Sequence, residues 1–162
     1  MEQSDKSNKL AVSGLELVLR RSDSKDIGFV YELMRHHLER FFSQISEGWS
    51  RKRFKIGYKP ERITIIEHED MPIGFYDLEI LNGLAYVHNL HISRDYQGRN
   101  IGPVLISYIE TESRNSGASY IKAKIFQENE KFLRFLKRKG YRVEKELPEE
   151  NSYIIKKDIE SI

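Results

Sequence analysis

The chain contains no cysteine, and that absence excludes disulfide bonds, thiolate catalysis and cysteine-ligated zinc together. No stretch approaches the roughly 18 consecutive apolar residues that a membrane-spanning helix needs. Residues 1–10 are polar and mixed in charge, without the apolar core of a secretory signal. These absences predict a cytoplasmic chain with no membrane partner. A formal net charge of +2 is too small to draw nucleic acid by itself. The densest basic run, Arg51-Lys52-Arg53-Phe54-Lys55, reads as the solvated face of a helix and lacks the interleaved aromatics of a stacking platform. No fixed-period repeat and no low-complexity segment is visible. What is present, 39% hydrophobic and 32% charged residues over 162 positions, suits one globular domain.

Along the chain, residues 1–14 read as a flexible arm and 16–20 as a first strand. Ser24-Lys25-Asp26 offers an N-cap, and Ile27, Val30, Tyr31, Met34 and Leu38 follow at helical spacing. That helix ends near Gln44, and a second short helical piece covers 47–56. Segments 63–69, 73–81 and 84–92 are strand-like. Asn82-Gly83 joins the last two and suits a type I′ hairpin turn, which needs positive φ at both central residues. Residues 102–116 read as a helix with Leu105, Ile106 and Ile109 as its apolar stripe and Gly117 beyond its end. A strand at 120–126, a helix at 129–139 stopped by Gly140, and strands at 141–146 and 153–157 complete the order. Helices interleaved with strands in this way predict a three-layer α/β domain: a mixed, mostly antiparallel twisted sheet flanked by helices on both faces.

A strand ending Leu90-His91-Ile92 runs into Ser93-Arg94-Asp95-Tyr96-Gln97-Gly98-Arg99-Asn100-Ile101-Gly102-Pro103 and so opens a helix. Unpaired N–H groups at a helix start, with the helix dipole, form an anion site. Glycine lets the backbone close on a phosphate, Arg99 adds charge, and Pro103 suits a first turn where its missing N–H costs nothing. The segment is neither a P-loop nor a dinucleotide fingerprint. A strand-to-helix turn with no ligand is the alternative reading of the same residues.

The segment from Leu90 to Gly102 resembles the acyl-CoA signature of the GNAT acetyltransferases, a strand followed by Gln/Arg-x-x-Gly-x-Gly/Ala. Gln97 and Gly102 fit, and Asn100 stands at the middle glycine, where asparagine is the side chain that best tolerates positive φ. A second stretch, Asn129-Glu130-Lys131-Phe132-Leu133-Arg134-Phe135-Leu136-Lys137-Arg138-Lys139-Gly140-Tyr141, is similar to that family's Asn-x-x-Ala-x-x-Phe-Tyr-x-x-x-Gly-Phe. The resemblance implies a single acyl-CoA N-acyltransferase domain over 15–162, with acetyl-CoA as co-substrate and no metal. It implies pantetheine against the backbone of Leu90, His91 and Ile92, and pyrophosphate on the N–H groups from Gly98 to Gly102. Asn129 would bond the pantetheine or ribose side, and Phe132, in place of a small residue, would narrow the space over the cofactor.

An amine acceptor is protonated at neutral pH and needs a base before it attacks a thioester. A two-residue turn makes Leu81 face Leu84, which sets Asp77 opposite His88 and Glu79 opposite Tyr86, all four on one sheet face. Asp77 is then placed to orient the imidazole of His88 and fix its tautomer, with Glu79 as the rival base. Tyr86-Val87-His88-Asn89-Leu90 is also similar to the arylalkylamine N-acetyltransferases, where histidines hold the positions of Tyr86 and His88. Leu136 replaces the tyrosine that serves as acid in the family, which leaves Tyr86 or water to protonate the leaving thiolate.

Other features read more plainly. His36-His37 are surface or groove residues without a partner at metal spacing. Phe41-Phe42 and Trp49 line either an acceptor groove or a packing surface, and Glu67-His68-Glu69-Asp70 is a solvated strand end and turn. The expected function is acetyl transfer to a primary amine, a small amine or polyamine or a protein amine, by a monomer or homodimer. The alternative is a catalytically inactive acyl-CoA-binding or regulatory module of the same fold.

Overall fold

The computed structural model describes residues 8–41 and 51–160, with the backbone alone for 38–41 and 51–53. Among the described residues eight strands and four α-helices follow in the order β1 (Asn8–Val12), β2 (Leu15–Arg21), α1 (Ile27–Phe41), α2 (Arg51–Gly57), β3 (Ile63–His68), β4 (Met71–Leu81), β5 (Leu84–Ile92), α3 (Ile101–Asn115), β6 (Tyr120–Phe126), α4 (Glu130–Arg138), β7 (Arg142–Leu147) and β8 (Ser152–Asp158). The strands make a mixed sheet in the order β1-β2-β3-β4-β5-β6-β8-β7. β5 and β6 run parallel, while β1–β2, β2–β3, β3–β4, β6–β8 and β7–β8 are antiparallel. The chain packs as two compact units, one of residues up to Asp77 with Leu90–Ile101, the other of Leu78–Asn89 with Gly102–Ile162.

In the first unit Leu17, Leu19, Ile65, Ile66 and Phe75 are buried. α1 lays Val30 on Ile63, Ile65 and Phe75, and Phe54 of α2 packs against the same cluster. The arm expected over 1–14 is a strand from Asn8 onward, because Leu10 pairs with Leu17 and Val12 with Leu15 across a tight hairpin that buries Val12. The cap at the entry to α1 is Asp23, one residue ahead of Ser24. Its carboxylate accepts from Lys25 N at 2.8 Å, and Asp26 accepts from Asp23 N at 2.9 Å. The reciprocal pair of bonds between Asp23 and Asp26 is a capping box, which fixes the cap at Asp23. Arg20 grips Asp26 with two bonds of 2.8 Å and so holds its carboxyl below the usual range. Glu69 and Asp70 make the β3–β4 turn, both at positive φ.

In the second unit the α3 stripe Leu105, Ile106 and Ile109 is buried, as are Leu133 and Leu136 of α4 and Ile121, Ile125 and Ile155 of the sheet. Asn82 and Gly83 adopt φ of 52° and 78°, the pair of positive values that the hairpin turn requires. Glu110 of α3 is buried and compensated on three sides: Tyr141 donates to it at 2.9 Å, and Lys157 and Lys139 lie at 3.0 and 3.3 Å. A buried carboxylate needs such partners. Among the described residues no helix is long and apolar enough to cross a membrane.

Candidate active site

In the second unit the hairpin of β4 and β5 carries Glu79, Tyr86 and His88. His88 Nε2 lies 3.0 Å from Glu79 Oε1, and the Tyr86 and His88 rings are 4.6 Å apart at their centroids. Glu79, not Asp77, is thus the carboxylate on the imidazole. Both oxygens of Asp77 are taken by Arg62, whose Nε and Nη2 donate at 2.9 Å each, and the aspartate is buried. Glu79 reaches His88 along the diagonal of the hairpin, a span that suits its longer side chain. With Nε2–H given to the carboxylate, Nδ1 keeps its lone pair. Burial pushes the Tyr86 phenol above its ordinary pKa, Glu150 adds to the rise and Lys122 opposes it.

In the first unit β5 ends on half-buried Leu90 and His91 and buried Ile92. The His91 ring sits 5.3 Å from Phe75 and its Nδ1 is 2.8 Å from Nδ1 of His37. Burial lowers its pKa to about 3, with the His37 charge as the second cause. Gln97 Nε2 donates to Ile92 O at 2.9 Å and ties the loop to the strand end. Arg99 stacks over Tyr96 at 5.0 Å. Gly98 and Asn100 both have left-handed φ, 76° and 65°, just before Ile101 opens α3. Twisted turns of this kind aim N–H groups into a shared concavity that suits an anion, and a Cβ on Gly98 would meet nothing within 4 Å. The residues present therefore fit a phosphate at this place.

Returning to the second unit, Gly102 lies in the first turn of α3, followed by Pro103, and a Cβ there would sit 3.5 Å from the Phe132 ring. Asn129 is the N-cap of α4; its carbonyl accepts from Leu133 N at 3.0 Å and its side chain makes no capping bond. Leu136 is buried.

Residues 30–141 match the model of the acetyltransferase (GNAT) family. The chain belongs to that family. The GNAT acetyltransferase fold is shared with solved structures of low sequence identity. The PaiA N-acetyltransferase of Thermoplasma acidophilum, in complex with coenzyme A, is 18% identical with a TM-score of 0.70, over 88% of this chain and 98% of that one. The ribosomal-protein-S18-alanine N-acetyltransferase of Escherichia coli is 14% identical with a TM-score of 0.69, over 90% and 96%. N-acetylglutamate synthase of Neisseria gonorrhoeae, complexed with coenzyme A and N-acetyl-glutamate, is 23% identical with a TM-score of 0.68; the match covers 90% of this chain and 35% of that one. No curated protein matches the sequence.

Of the residues singled out from sequence, the structure brings Glu79, Tyr86 and His88 together and gives Asp77 a different partner. It adds Arg62 on Asp77, His37 on His91 and Lys122 beside Tyr86. Those partners lie 15, 54 and 36 positions away, beyond any local spacing rule. Phe42, Trp49 and the side chain of Phe41 lie outside the described residues.

Proposed function

We propose that this GNAT acetyltransferase moves the acetyl group of acetyl-CoA to a primary amine, with His88 as the base. The 3.0 Å contact between His88 and Glu79, beside Tyr86, carries the reading. Glu79 fixes the tautomer and the ring plane, so that Nδ1 accepts the amine's proton directly or through one water. Tyr86, held protonated by its raised pKa, is the O–H donor for the leaving group. Leu136 is buried and has no proton to give. When bound, acetyl-CoA supplies an activated acyl carbonyl. Toward it the first unit offers the N–H groups from Gly98 to Ile101, the guanidinium of Arg99 and the backbone at Ile92.

Thiol release from acetyl-CoA across a panel of small amines, polyamines and peptides is the test. Turnover that disappears in His88→Gln supports the reading. Binding of acetyl-CoA with no thiol release against any amine would replace it with an acyl-CoA-binding module. Gly102→Asp puts a side chain and a negative charge at the start of α3, and should weaken acetyl-CoA binding by about a hundredfold in calorimetry. Unchanged affinity in that variant, once shown to be folded, would mean that the phosphate lies elsewhere.

A further inference from the structure

In the second unit the strand register sets Tyr86 beside Lys122, Lys122 beside Lys156, and Lys156 beside Arg142. Directly paired residues share a face, so one row across four strands reads Tyr86, Lys122, Lys156, Arg142. His88, 4.6 Å from Tyr86 ring to ring, lies on that same face. The opposite face of these strands is the apolar one, with Ile121, Ile125 and Ile155 buried. Like charges placed directly opposite are destabilising, and the fold contains a device that offsets them. The pairing of β7 slips between Val143 and Lys145, which leaves Glu144 as an extra residue. Its carboxylate lies 2.6 Å from Lys122 Nζ and 3.9 Å from Lys156 Nζ. The two ammonium groups therefore already converge on one carboxylate. Both lysine side chains are largely covered, 25% and 21% exposed, so solvent screens them less than it screens free surface charges.

We propose that this row is the acceptor's anion subsite: the acceptor is an amine that also carries a carboxylate, bound by Lys122 and Lys156 in exchange for Glu144. The inference rests on the reading of His88 as the group that takes the amine's proton. Strands lie ~4.8 Å apart, which puts the two lysine backbones about 5 and 10 Å from that of Tyr86. A carboxylate a few bonds from the reacting amine spans that interval. Arg142, paired at 3.9 Å with Asp158, extends the positive row for a longer acidic acceptor.

Matched pairs decide the matter. On the full chain, kcat/KM for tyrosine is compared with tyramine and for ornithine with putrescine. Binding of N-acetyltyrosine and N-acetyltyramine is followed separately by NMR, which does not depend on turnover. The carboxylated partner should be favoured by about tenfold or more. Lys122→Gln and Lys156→Gln should each reduce that ratio, whereas Glu144→Gln, which releases both ammonium groups, should raise it. Opposite signs from neighbouring substitutions separate charge recognition from a folding defect. A ratio near one, or one that the three substitutions leave unmoved, overturns the proposal. If no amine releases thiol, the functional reading falls and binding alone decides the subsite. A shift of the lysine resonances by N-acetyltyrosine but not by N-acetyltyramine then supports the subsite, and its absence rejects it. A peptide amide starting with tyrosine and carrying glutamate next identifies the source of the carboxylate, since a larger kcat/KM than free tyrosine assigns it to an acidic peptide.

Discussion

Two histidines, one in each unit, make contacts of nearly the same length with partners of different charge. His88 meets a carboxylate at 3.0 Å, with its side chain 32% exposed. His91 meets another imidazole at 2.8 Å beside Phe75, and burial holds it neutral down to about pH 3. A carboxylate stabilises the imidazolium that a general base must become, and open surroundings let the proton arrive. A second imidazole offers no negative charge, and burial penalises the cation. Distance alone does not separate the two contacts; the charge of the partner does.

Four measurements break or sharpen that contrast. The largest effect belongs to His88. His88→Gln should lower kcat by about 10²- to 10⁴-fold with acetyl-CoA affinity nearly intact, and Glu79→Gln should cost about 10- to 100-fold by loosening the ring. Silent His88→Gln with dead Glu79→Gln would make the carboxylate the base. Asp77→Asn, on an aspartate held by Arg62, should act through stability rather than turnover.

On the His91 side, Gly74 is the more sensitive position. A Cβ there would stand 2.6 Å from the His91 carbonyl and 2.9 Å from Ile92 Cδ1. Gly74→Ala should therefore destabilise the fold by about 2–3 kcal/mol in denaturant melts. Wild-type midpoints in that variant would mean that the strands give way freely.

The third measurement is pH. In the unfolded chain His91 takes up a proton below about pH 6.5, whereas in the folded chain it does so only near pH 3. Its share of stability is complete above the unfolded value and is lost as pH falls through this window, by about 2 kcal/mol at pH 5. A His91 imidazole seen by NMR to titrate near pH 6 would mean that burial does not hold it neutral.

The smallest effect is that of Tyr86→Phe, a loss of about tenfold in kcat. The phenol must stay protonated to donate, so wild-type activity should fall as pH rises through its raised pKa, and Tyr86→Phe should lose that alkaline limb. An unchanged limb would leave water as the proton source.

Much of this was readable from local pattern. The two-residue turn at Asn82-Gly83, the apolar stripe of α3 and the glycines that follow α3 and α4 are short-range signals, set by φ preference and by the 3.6-residue period. The left-handed φ of 65° at Asn100 belongs to the same class, since asparagine is the side chain that visits that region with least cost. β1 is not legible in local pattern, because Asn8-Lys9-Leu10-Ala11-Val12 has little alternation and forms a strand by pairing with β2.

The site divides along the same line. The hairpin turn by itself determined that Glu79, Tyr86 and His88 share a face, because strand periodicity is a property of the backbone. Which carboxylate reaches the imidazole was decided by Arg62, which lies 15 positions before Asp77 and removes that aspartate with two hydrogen bonds. The neutrality of His91 was decided first by burial and then by His37, 54 positions away on another element. Residue type supplies the groups that can ionise. Only tertiary packing sets the desolvation and the neighbouring charge that fix which of them holds a proton.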